Sequence, residues 1–526
     1  MSTPGQGTGE GRSRERVTIA RLPTGVRGLD DILGGGLPEF SFNIIAGAPG
    51  CGKTTLAHQI MFANATPERP ALYFTVLGEP AIKMLRYQQQ FSFFDDAKLE
   101  GAIRFVNLSQ VVLDKDLGAV LDEIINEVES SNATIVVVDS FRTVVRKALT
   151  SSGDADLQGF VQRLALHLTS WQATTFLIGE YVEGEMRDNP VFTVADGLFW
   201  LSQSIERNSI VRKMQIMKLR GQESVPGLHT FRITDEGLHT FPRTFGLVGD
   251  AGQPKGRRRL STGISELDAM MGGGIPEGDS LLLAGPSGAG KSIVATQFIA
   301  EGLRHGEPGI VAVFEEIPAE YVQRAASFGF DFETPQKNGT LELIYLRPLD
   351  LSVDETVHGI VNSVKELGCK RLVIDSLVGF EMALAPAFRT DFRESLYRMI
   401  AALTRLGVTI ISTVEVAEDF TSMDLSNFTV SFLADDILRL RYVSINGQLR
   451  KMLLVVKMRR SQHSIDMVEY EITSKGAVIG KPLRGYRGLT SGIPEPWSFE
   501  SGQNEPAVRA DRPSAEKKKP RRKVSR

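Results

Sequence analysis

The chain has 526 residues, of which 42% are hydrophobic and 23% are charged, and its formal net charge is −3. This length exceeds what one hydrophobic core supports and predicts two or three domains of ordinary size. The small net charge argues against nucleic-acid binding by the protein as a whole. Two cysteines, Cys51 and Cys369, are too few for a disulfide scaffold or a cysteine zinc site and favour a cytoplasmic protein.

The first residues carry no targeting signal. Residues 1–16 are polar and rich in glycine and serine, without the apolar core of a signal peptide, and are predicted to form a disordered tail. A transmembrane helix needs about 18 consecutive apolar residues. The sequence contains no such run, so we expect no membrane association.

The rest of the chain repeats itself. Residues 24–30 read TGVRGLD and residues 34–38 read GGGLP, while residues 262–268 read TGISELD and residues 272–276 read GGGIP. Several later blocks recur in the same order and at nearly the same interval, which indicates a duplicated domain. The predicted organisation is a first domain over 17–247, a linker over 248–260, a second domain over 261–490 and a basic, disordered tail over 491–526.

Each half contains a phosphate-binding loop between an apolar strand and a helix. Residues 47–54 read GAPGCGKT after the strand 42–46, and residues 285–292 read GPSGAGKS after the strand 280–284. Glycines allow backbone N–H groups to converge on phosphate, the lysine reaches the β- and γ-phosphates, and the last hydroxyl binds Mg²⁺. The predicted ATP contacts are Gly47, Gly50, Cys51, Gly52, Lys53, Thr54 and Thr55 in the first half and Gly285, Gly288, Ala289, Gly290, Lys291, Ser292 and Ile293 in the second.

An aspartate ends a buried strand in each half. Asp139 follows the apolar residues 134–138, and Asp375 follows residues 371–374. Continuous apolar runs of this kind are typical of parallel strands buried on both faces. In P-loop enzymes such an aspartate helps to hold the metal ion, together with the last hydroxyl residue of the loop. Thr54, Asp139, Ser292 and Asp375 are therefore predicted Mg²⁺ residues.

The two halves differ in the carboxylates that would orient or deprotonate a nucleophile. The second half has Glu315 and Glu316 after the strand 309–313 and Phe314, a position that favours a catalytic role over a solvated acidic pair. The first half has Leu77 and Gly78 at the corresponding positions, with Glu79 one residue later. We therefore predict Glu315 and Glu316 as catalytic residues of the second half and Glu79 as the carboxylate of the first.

A Lys-x-Arg block recurs late in each half. Its members are Lys218, Leu219 and Arg220 in the first half and Lys457, Met458 and Arg459 in the second. Alternate residues of a strand share a face, so the two cations of a block point the same way. Such a pair suits a finger that enters a neighbouring subunit's nucleotide site, although an ordinary exposed strand end has the same pattern.

These motifs together resemble the KaiC family of double-domain, RecA-like ATPases. The likeness covers about residues 17–485, and the late block 457–463 (KMRRSQH) is its most specific part. It implies an α/β fold of two tandem RecA-like P-loop domains, each a mostly parallel sheet flanked by helices. It also implies a two-tiered homohexameric ring with Mg²⁺ and ATP bound between subunits, ATP hydrolysis in the first ring, serine/threonine autophosphorylation in the second, and a KaiB-like protein partner.

The resemblance also assigns roles in the second half. Glu315 matches the base that accepts a proton from a hydroxyl of the adjacent subunit, and it is placed near Mg²⁺. Where the family has two adjacent hydroxyl residues, this chain has Ser431 followed by Phe432, with Ser426 and Thr429 nearby. The candidate phosphorylation sites are therefore Ser431, Thr429 and Ser426. Further ATP contacts are implied at Phe328, Lys451, Lys457, Met458, Arg459 and Ser461.

Two other functions fit parts of the sequence. A RecA- or RadA-like DNA-dependent ATPase would use basic segments, and between Arg509 and Arg526 lysine and arginine far outnumber Asp511 and Glu516. The mildly acidic remainder of the chain and the duplication favour the signalling ATPase. A scaffold that binds ATP without catalysis is the other alternative, and the altered carboxylates of the first half keep it open there.

Overall fold

The computed structural model describes most of both repeats. The described residues are 19–76, 81–151, 154–186, 189–206, 209–243, 258–346, 352–384, 392–416, 434–488 and 494–496. Several predictions fall outside them, namely those for Glu79, Ser426, Thr429 and Ser431, the N-terminal tail, most of the linker and nearly all of the C-terminal tail.

The first repeat alternates strands and helices up to β8 and ends in a run of strands. Its helices are α1 (Leu29–Leu33), α2 (Lys53–Asn64), α3 (Ala81–Gln88), α4 (Ser109–Asp114), α5 (Leu117–Ser131), α6 (Phe141–Ser151), α7 (Asp154–Ser170) and α8 (Val191–Val194). Its strands are β1 (Arg21–Leu22), β2 (Leu37–Pro38), β3 (Phe42–Gly47), β4 (Ala71–Thr75), β5 (Ile103–Asn107), β6 (Ile135–Asp139), β7 (Thr174–Glu180), β8 (Gly197–Glu206), β9 (Ser209–Leu219), β10 (Leu228–Thr234) and β11 (Gly237–Phe241).

The second repeat follows the same plan. Its helices are α9 (Ser265–Met270), α10 (Lys291–Arg304), α11 (Pro318–Ser327), α12 (Glu333–Lys337), α13 (Val353–Leu367), α14 (Leu377–Ala383) and α15 (Phe392–Arg405). Its strands are β12 (Arg259–Leu260), β13 (Ile275–Pro276), β14 (Ser280–Gly285), β15 (Gly309–Val313), β16 (Leu341–Tyr345), β17 (Arg371–Asp375), β18 (Thr409–Glu415), β19 (Asp436–Ile445), β20 (Gln448–Met458), β21 (Val468–Thr473) and β22 (Gly476–Pro482), and a small hairpin of β23 (Tyr486–Arg487) and β24 (Glu495–Pro496) follows.

The two large sheets have identical topology. In the described residues each has nine strands, in the order β5-β4-β6-β7-β3-β8-β9-β10-β11 and β16-β15-β17-β18-β14-β19-β20-β21-β22. The first six strands of each order run parallel and the last three continue antiparallel. The predicted fold class, two mostly parallel sheets flanked by helices, is confirmed.

The P-loop strand of each repeat lies in the middle of its sheet. Successive residues of β3 alternate between two hydrophobic clusters on opposite faces, with Ile44 in one and Ile45 in the other. Burial on both faces explains why parallel strands read as continuous apolar runs. In the described residues, no helix is both long and apolar enough to cross a membrane.

The repeated sequence blocks have structural roles. Thr24 donates its backbone N–H and its hydroxyl to Asp30 Oδ1, and Thr262 makes the same pair of bonds to Asp268, which closes the entry turn of each repeat. On the P-loop helix α2, Gln59 Oε1 accepts the N–H of Leu238 at 2.7 Å, which fixes the β10–β11 hairpin against that helix. Gln297 and Ala477 form the corresponding bond in the second repeat.

The repeats contact each other through α13. Strands β10 and β11 pack on this helix, and Arg232 Nε lies 2.7 Å from Glu355 Oε2. The rings of His239 and His358 lie 6.0 Å apart beside this ion pair. Val211 of the first repeat joins the hydrophobic cluster of the second. The far end of the first sheet therefore supports a helix of the second domain.

Candidate nucleotide-binding sites

Each P-loop runs from its central strand into the helix that follows. Gly52 and Gly290 sit one residue before that helix with φ of 99° and 94°. This left-handed conformation favours glycine. A Cβ atom on either residue would lie 2.7 Å from an isoleucine Cδ1, that of Ile233 or Ile472. The backbone angle therefore favours glycine at both positions, and any larger residue would also displace the isoleucine side chain.

The P-loop lysines are held by carbonyls of their own loops. Lys53 is only 7% exposed and its Nζ donates to Ala48 O at 2.7 Å. Lys291 Nζ donates to Gly285 O at 2.9 Å and to Pro286 O at 2.8 Å. Burial lowers the pKa of Lys291, and the nearby carboxylates of Glu415, Asp375 and Glu315 oppose that shift. Each loop thus encloses one ammonium group, as phosphate binding requires.

In the first repeat, one carboxylate oxygen receives two hydroxyl donors. The hydroxyls of Thr54 and Tyr73 both donate to Asp139 Oδ2 at 2.7 Å. Tyr73 is fully buried on β4 and stacks on the His58 ring at 4.5 Å. Burial raises the pKa of Asp139, and the two hydrogen bonds counteract this shift. A hydroxyl and a carboxylate that share a hydrogen bond at the start of the P-loop helix fit the donor set of a magnesium–nucleotide complex.

A cavity of about 280 Å³ opens at this point. Gly50 and residues 52–55 of the P-loop, together with Asp139, Ser140 and Glu180, contribute to its wall. Glu180 is exposed at the end of β7 and also lines a neighbouring cavity of about 310 Å³, into which Arg142 and Arg146 project. Arg142 Nη1 pairs with Glu185 Oε2 at 2.6 Å. The first site therefore has an acidic group, Glu180, between the P-loop and two arginines.

In the second repeat the paired glutamates have separate partners. Ser376 Oγ donates to Glu315 Oε1 at 2.6 Å, directly after Asp375. Glu316 instead forms an ion pair with Arg324 at 2.8 Å. Glu315 is exposed and acts electrostatically on Lys291, whereas both members of the Glu316–Arg324 pair are about one quarter exposed. Glu315 is thus the member of the pair that faces the P-loop.

Asp375 is oriented differently from its counterpart Asp139. Its Oδ1 accepts the hydroxyl of Thr413 from β18 at 2.6 Å, and Arg324 lies 4.0 Å from its Oδ2. Ser292 follows Lys291 in the first turn of α10. The position of Tyr73 on β4 is taken by Val311 on β15, which has no hydroxyl. The two metal-binding candidates therefore share the aspartate but not its hydrogen-bond donors.

The Lys-x-Arg blocks lie at the opposite end of the sheet from their own P-loops. Leu219 pairs with Gly197, which pairs with Asn43 near the start of β3, whereas the P-loop leaves β3 at Gly47. The second block has the same placement, because Met458 pairs with Asp436 and Asp436 with Leu281. At about 3.3 Å per residue, roughly 15 Å of strand separates each block from its own P-loop.

The other predicted ATP contacts of the second repeat do not lie together: some are near the P-loop and others near the Lys-x-Arg block at the opposite end of the sheet. Lys451 pairs with Tyr442, whose hydroxyl reaches the P-loop at Ser287 O, 3.4 Å away. Ser461 lies with the Lys-x-Arg block, its hydroxyl 3.6 Å from Met458 Sδ. Phe328 is half-buried at the end of α11. The structure thus does not gather the predicted residues of one subunit into a single pocket.

Several residues at these sites were not predicted from the sequence. The repeat itself marks some of them, because Glu180 and Glu415 end corresponding strands. Ser376 directly follows Asp375, but nothing in the sequence shows that it reaches Glu315. Tyr73 and Thr413 lie in apolar strands and read as core residues.

Two sheets of this topology, each with a P-loop on its central strand and an aspartate at the end of the second parallel strand from it, define a tandem RecA-like P-loop ATPase. The family model described as "ATPase: KaiC" matches residues 22–244 and again residues 260–484. The chain belongs to this KaiC family of ATPases.

Curated relatives match over nearly the full length. The "Circadian clock oscillator protein KaiC" of Picosynechococcus sp. is 28% identical over 493 residues, covering 90% of this chain and 92% of that protein. The protein of the same description from Rippkaea orientalis is 29% identical over 488 residues, with 90% and 92% covered. That from Synechococcus elongatus is 27% identical over 504 residues, with 94% and 95% covered.

Proposed function

We propose that the protein is a homohexameric ATPase of two stacked rings whose nucleotide sites are completed by the adjacent subunit. The observation that carries this proposal is the placement of the Lys-x-Arg blocks. Lys218 and Arg220 are one sheet length away from their own P-loop, too far for either side chain to reach it. Because these cations cannot reach the phosphate site of their own subunit, they can contact bound phosphate only at the nucleotide site of another subunit.

Mixed rings test this arrangement. A Lys53→Ala subunit lacks its own first site but keeps its Lys-x-Arg block, and an Arg220→Ala subunit has the reverse defect. Neither alone should hydrolyse ATP in the first ring, whereas a mixture should recover activity at interfaces that combine the intact halves. Both should carry Lys291→Ala so that the second ring is silent. A mixture that sediments as assembled rings and is still as inactive as its components would contradict sites shared between subunits.

In the first domain the proposed reaction is ATP hydrolysis. Bound Mg²⁺-ATP supplies the phosphoryl group and the cation that neutralises its charge. Lys53 binds the phosphates, and Thr54 and Asp139 hold the metal side of the site. Glu79 is the carboxylate proposed from the sequence to orient water. Glu180, exposed on the cavity wall, is a second candidate for this role.

In the second domain the proposed reaction is phosphoryl transfer to a hydroxyl of the adjacent subunit. Glu315 accepts the hydroxyl proton while the attacking oxygen bonds to the γ-phosphorus and ADP leaves. Its exposed carboxylate, held by Ser376, supports this role. Glu316 pairs with Arg324, and Arg324 in turn lies near Asp375. The proposed role of Glu316 is therefore to hold Arg324 beside Asp375. The proposed acceptors are Ser431, Thr429 and Ser426.

Phosphosite mapping tests the kinase proposal. After incubation with Mg²⁺-ATP, mass spectrometry should find phosphate on at least one of Ser426, Thr429 and Ser431, and Glu315→Gln should abolish it while ATP remains bound. Absence of phosphate from all three in the wild-type protein would leave an ATPase without autokinase activity.

The physiological role proposed is signalling or timer-like regulation in the cytoplasm. It rests on the relatives, which are described as circadian clock oscillator proteins. Phe432 replaces the second hydroxyl of the family's pair, so we propose a one-site phosphorylation cycle. A KaiB-like partner is proposed from membership of the family alone. A second candidate for the first ring is an ATP-gated scaffold, since Leu77 and Gly78 replace the glutamates there. First-ring ATP turnover at the background rate would favour the scaffold.

A further inference from the structure

In the first domain, hydrogen bonds of Asp196 join the start of the P-loop strand to the Lys-x-Arg block. Asp196 N–H donates to Phe42 O at 2.7 Å, and Asp196 Oδ2 accepts the N–H of Phe42 at 3.0 Å. On its other side, Asp196 O accepts the N–H of Arg220 at 3.0 Å, and Asp196 Oδ1 accepts Nη1 of Arg220 at 3.2 Å. One aspartate therefore binds the first residue of the P-loop strand and the arginine together.

The second domain repeats this motif bond for bond. Asp435 N–H donates to Ser280 O at 2.9 Å, and Asp435 Oδ2 accepts the N–H of Ser280 at 3.3 Å. Asp435 O accepts the N–H of Arg459 at 3.2 Å, and Asp435 Oδ1 lies 3.5 Å from Nη1 of Arg459. The flanking residues differ between the repeats, as Phe42 and Ser280 illustrate, yet the aspartate and its four contacts are retained.

The arginine and the aspartate of each motif differ in how far their side chains are exposed to solvent. The arginine side chains are more than half exposed, 59% for Arg220 and 52% for Arg459. An ion pair so open to water contributes little to the stability of the fold. The aspartates are less exposed, 30% and 10%, and are anchored to the backbone of the central strand. The carboxylates are therefore anchored supports for guanidinium groups that face the solvent.

We infer that Asp196 and Asp435 are positioning residues that hold Arg220 and Arg459 in the orientation needed to complete the neighbouring subunit's nucleotide site. The inference rests on the proposed function, in which these arginines act across the subunit interface. Each aspartate also connects the P-loop strand of its own subunit to the arginine that serves the next one.

A double-mutant cycle on the full-length chain tests this role. Asp196→Asn keeps the size of the side chain but removes its charge and one acceptor oxygen. In a Lys291→Ala background, which silences the second ring, we expect Asp196→Asn to lower kcat for ATP about 10-fold to 100-fold with KM within about threefold. Arg220→Ala should lower kcat at least about 100-fold. The double variant should match Arg220→Ala within about twofold, because the aspartate acts through the arginine.

The outcomes separate this inference from the proposed function. An Arg220→Ala variant with unchanged kcat overturns the shared site and this inference with it. An impaired Arg220→Ala together with an unchanged Asp196→Asn, or with losses that multiply in the double variant, overturns the positioning role alone. Ring assembly by sedimentation and the unfolding midpoint serve as folding controls. If Asp196→Asn fails to fold, Asp435→Asn and Arg459→Ala give the same cycle in the second domain, read by phosphate transfer.

Discussion

The hydroxyl of Tyr73 donates a 2.7 Å hydrogen bond to Oδ2 of Asp139, the same oxygen that receives the hydroxyl of Thr54. This contact distinguishes the first nucleotide site from the second, where Thr413 donates to the other carboxylate oxygen of Asp375. Because a carboxylate that holds a metal is oriented by its hydrogen-bond donors, the two sites are expected to bind Mg²⁺ differently.

Tyr73→Phe should weaken magnesium-dependent ATP binding at the first site about 10-fold, because Asp139 loses one of its two donors. The measurement is ATP affinity with Mg²⁺ and with EDTA, in a Lys291→Ala background. Tyr321→Phe is the matched control, since the Tyr321 hydroxyl is also buried but lies 3.0 Å from Thr296 Oγ1. Equal losses with and without Mg²⁺ would show that Tyr73 serves packing and not the metal side of the site.

Glu315→Gln and Glu316→Gln should have different effects. The first removes the carboxylate that faces the P-loop and should slow phosphate transfer at least about 100-fold while ATP binding is retained. The second breaks the pair with Arg324 and should slow transfer less than about 10-fold, with a small loss of stability. Both rates come from radiolabel incorporation in a single turnover. A larger defect in Glu316→Gln would reverse the assigned roles.

Lys53→Ala should prevent ATP-driven ring assembly. Its ammonium group is enclosed by the first P-loop, and without it the phosphates lose their main cationic contact. Sedimentation velocity should show the variant as a smaller species at an ATP concentration that assembles the wild-type protein. Lys291→Ala, the equivalent change in the second ring, tests whether either site suffices. Unchanged sedimentation of Lys53→Ala would mean that the first site does not organise the ring.

Asp436→Asn should stabilise the protein at alkaline pH. Asp436 is fully buried near Asp279 and Asp435, and burial together with these carboxylates raises its pKa from 3.8 to about 7. Between these values the folded chain holds a proton that the unfolded chain has released. The free energy of unfolding therefore falls as pH rises from about 4 to about 7. Asparagine resembles the protonated acid and removes this dependence.

The rise in pKa from 3.8 to about 7 gives an expected gain of about 4 kcal/mol at pH 8, which shrinks toward pH 5. Calorimetric unfolding midpoints at pH 5.5, 6.5 and 8 measure it. Asp235→Asn, at an exposed turn, is the control and should change little at any pH. An Asp436→Asn advantage that is the same at all three pH values would exclude titration of this carboxylate as its cause.

Sequence alone identified the tandem RecA-like fold, both P-loops, and Asp139 and Asp375. These features are local: a run of apolar residues, a glycine-rich loop and a following helix are contiguous, and the duplication supplies each of them twice. The repeat blocks around Asp30 and Asp268 were visible for the same reason, although their role in closing a turn was not.

Only the tertiary structure gave Glu315 and Glu316 their separate partners, placed Tyr73 on Asp139, and put Arg220 at the far end of the sheet from Lys53. The partners of the two glutamates, Ser376 and Arg324, come from other elements and could not be read from the local sequence. Hydrogen bonds of this kind join residues far apart in the chain, and strand order sets which ones meet. The sequence therefore determined which functional groups each half contains, whereas the sheet topology decided which of these groups lie close enough to act together.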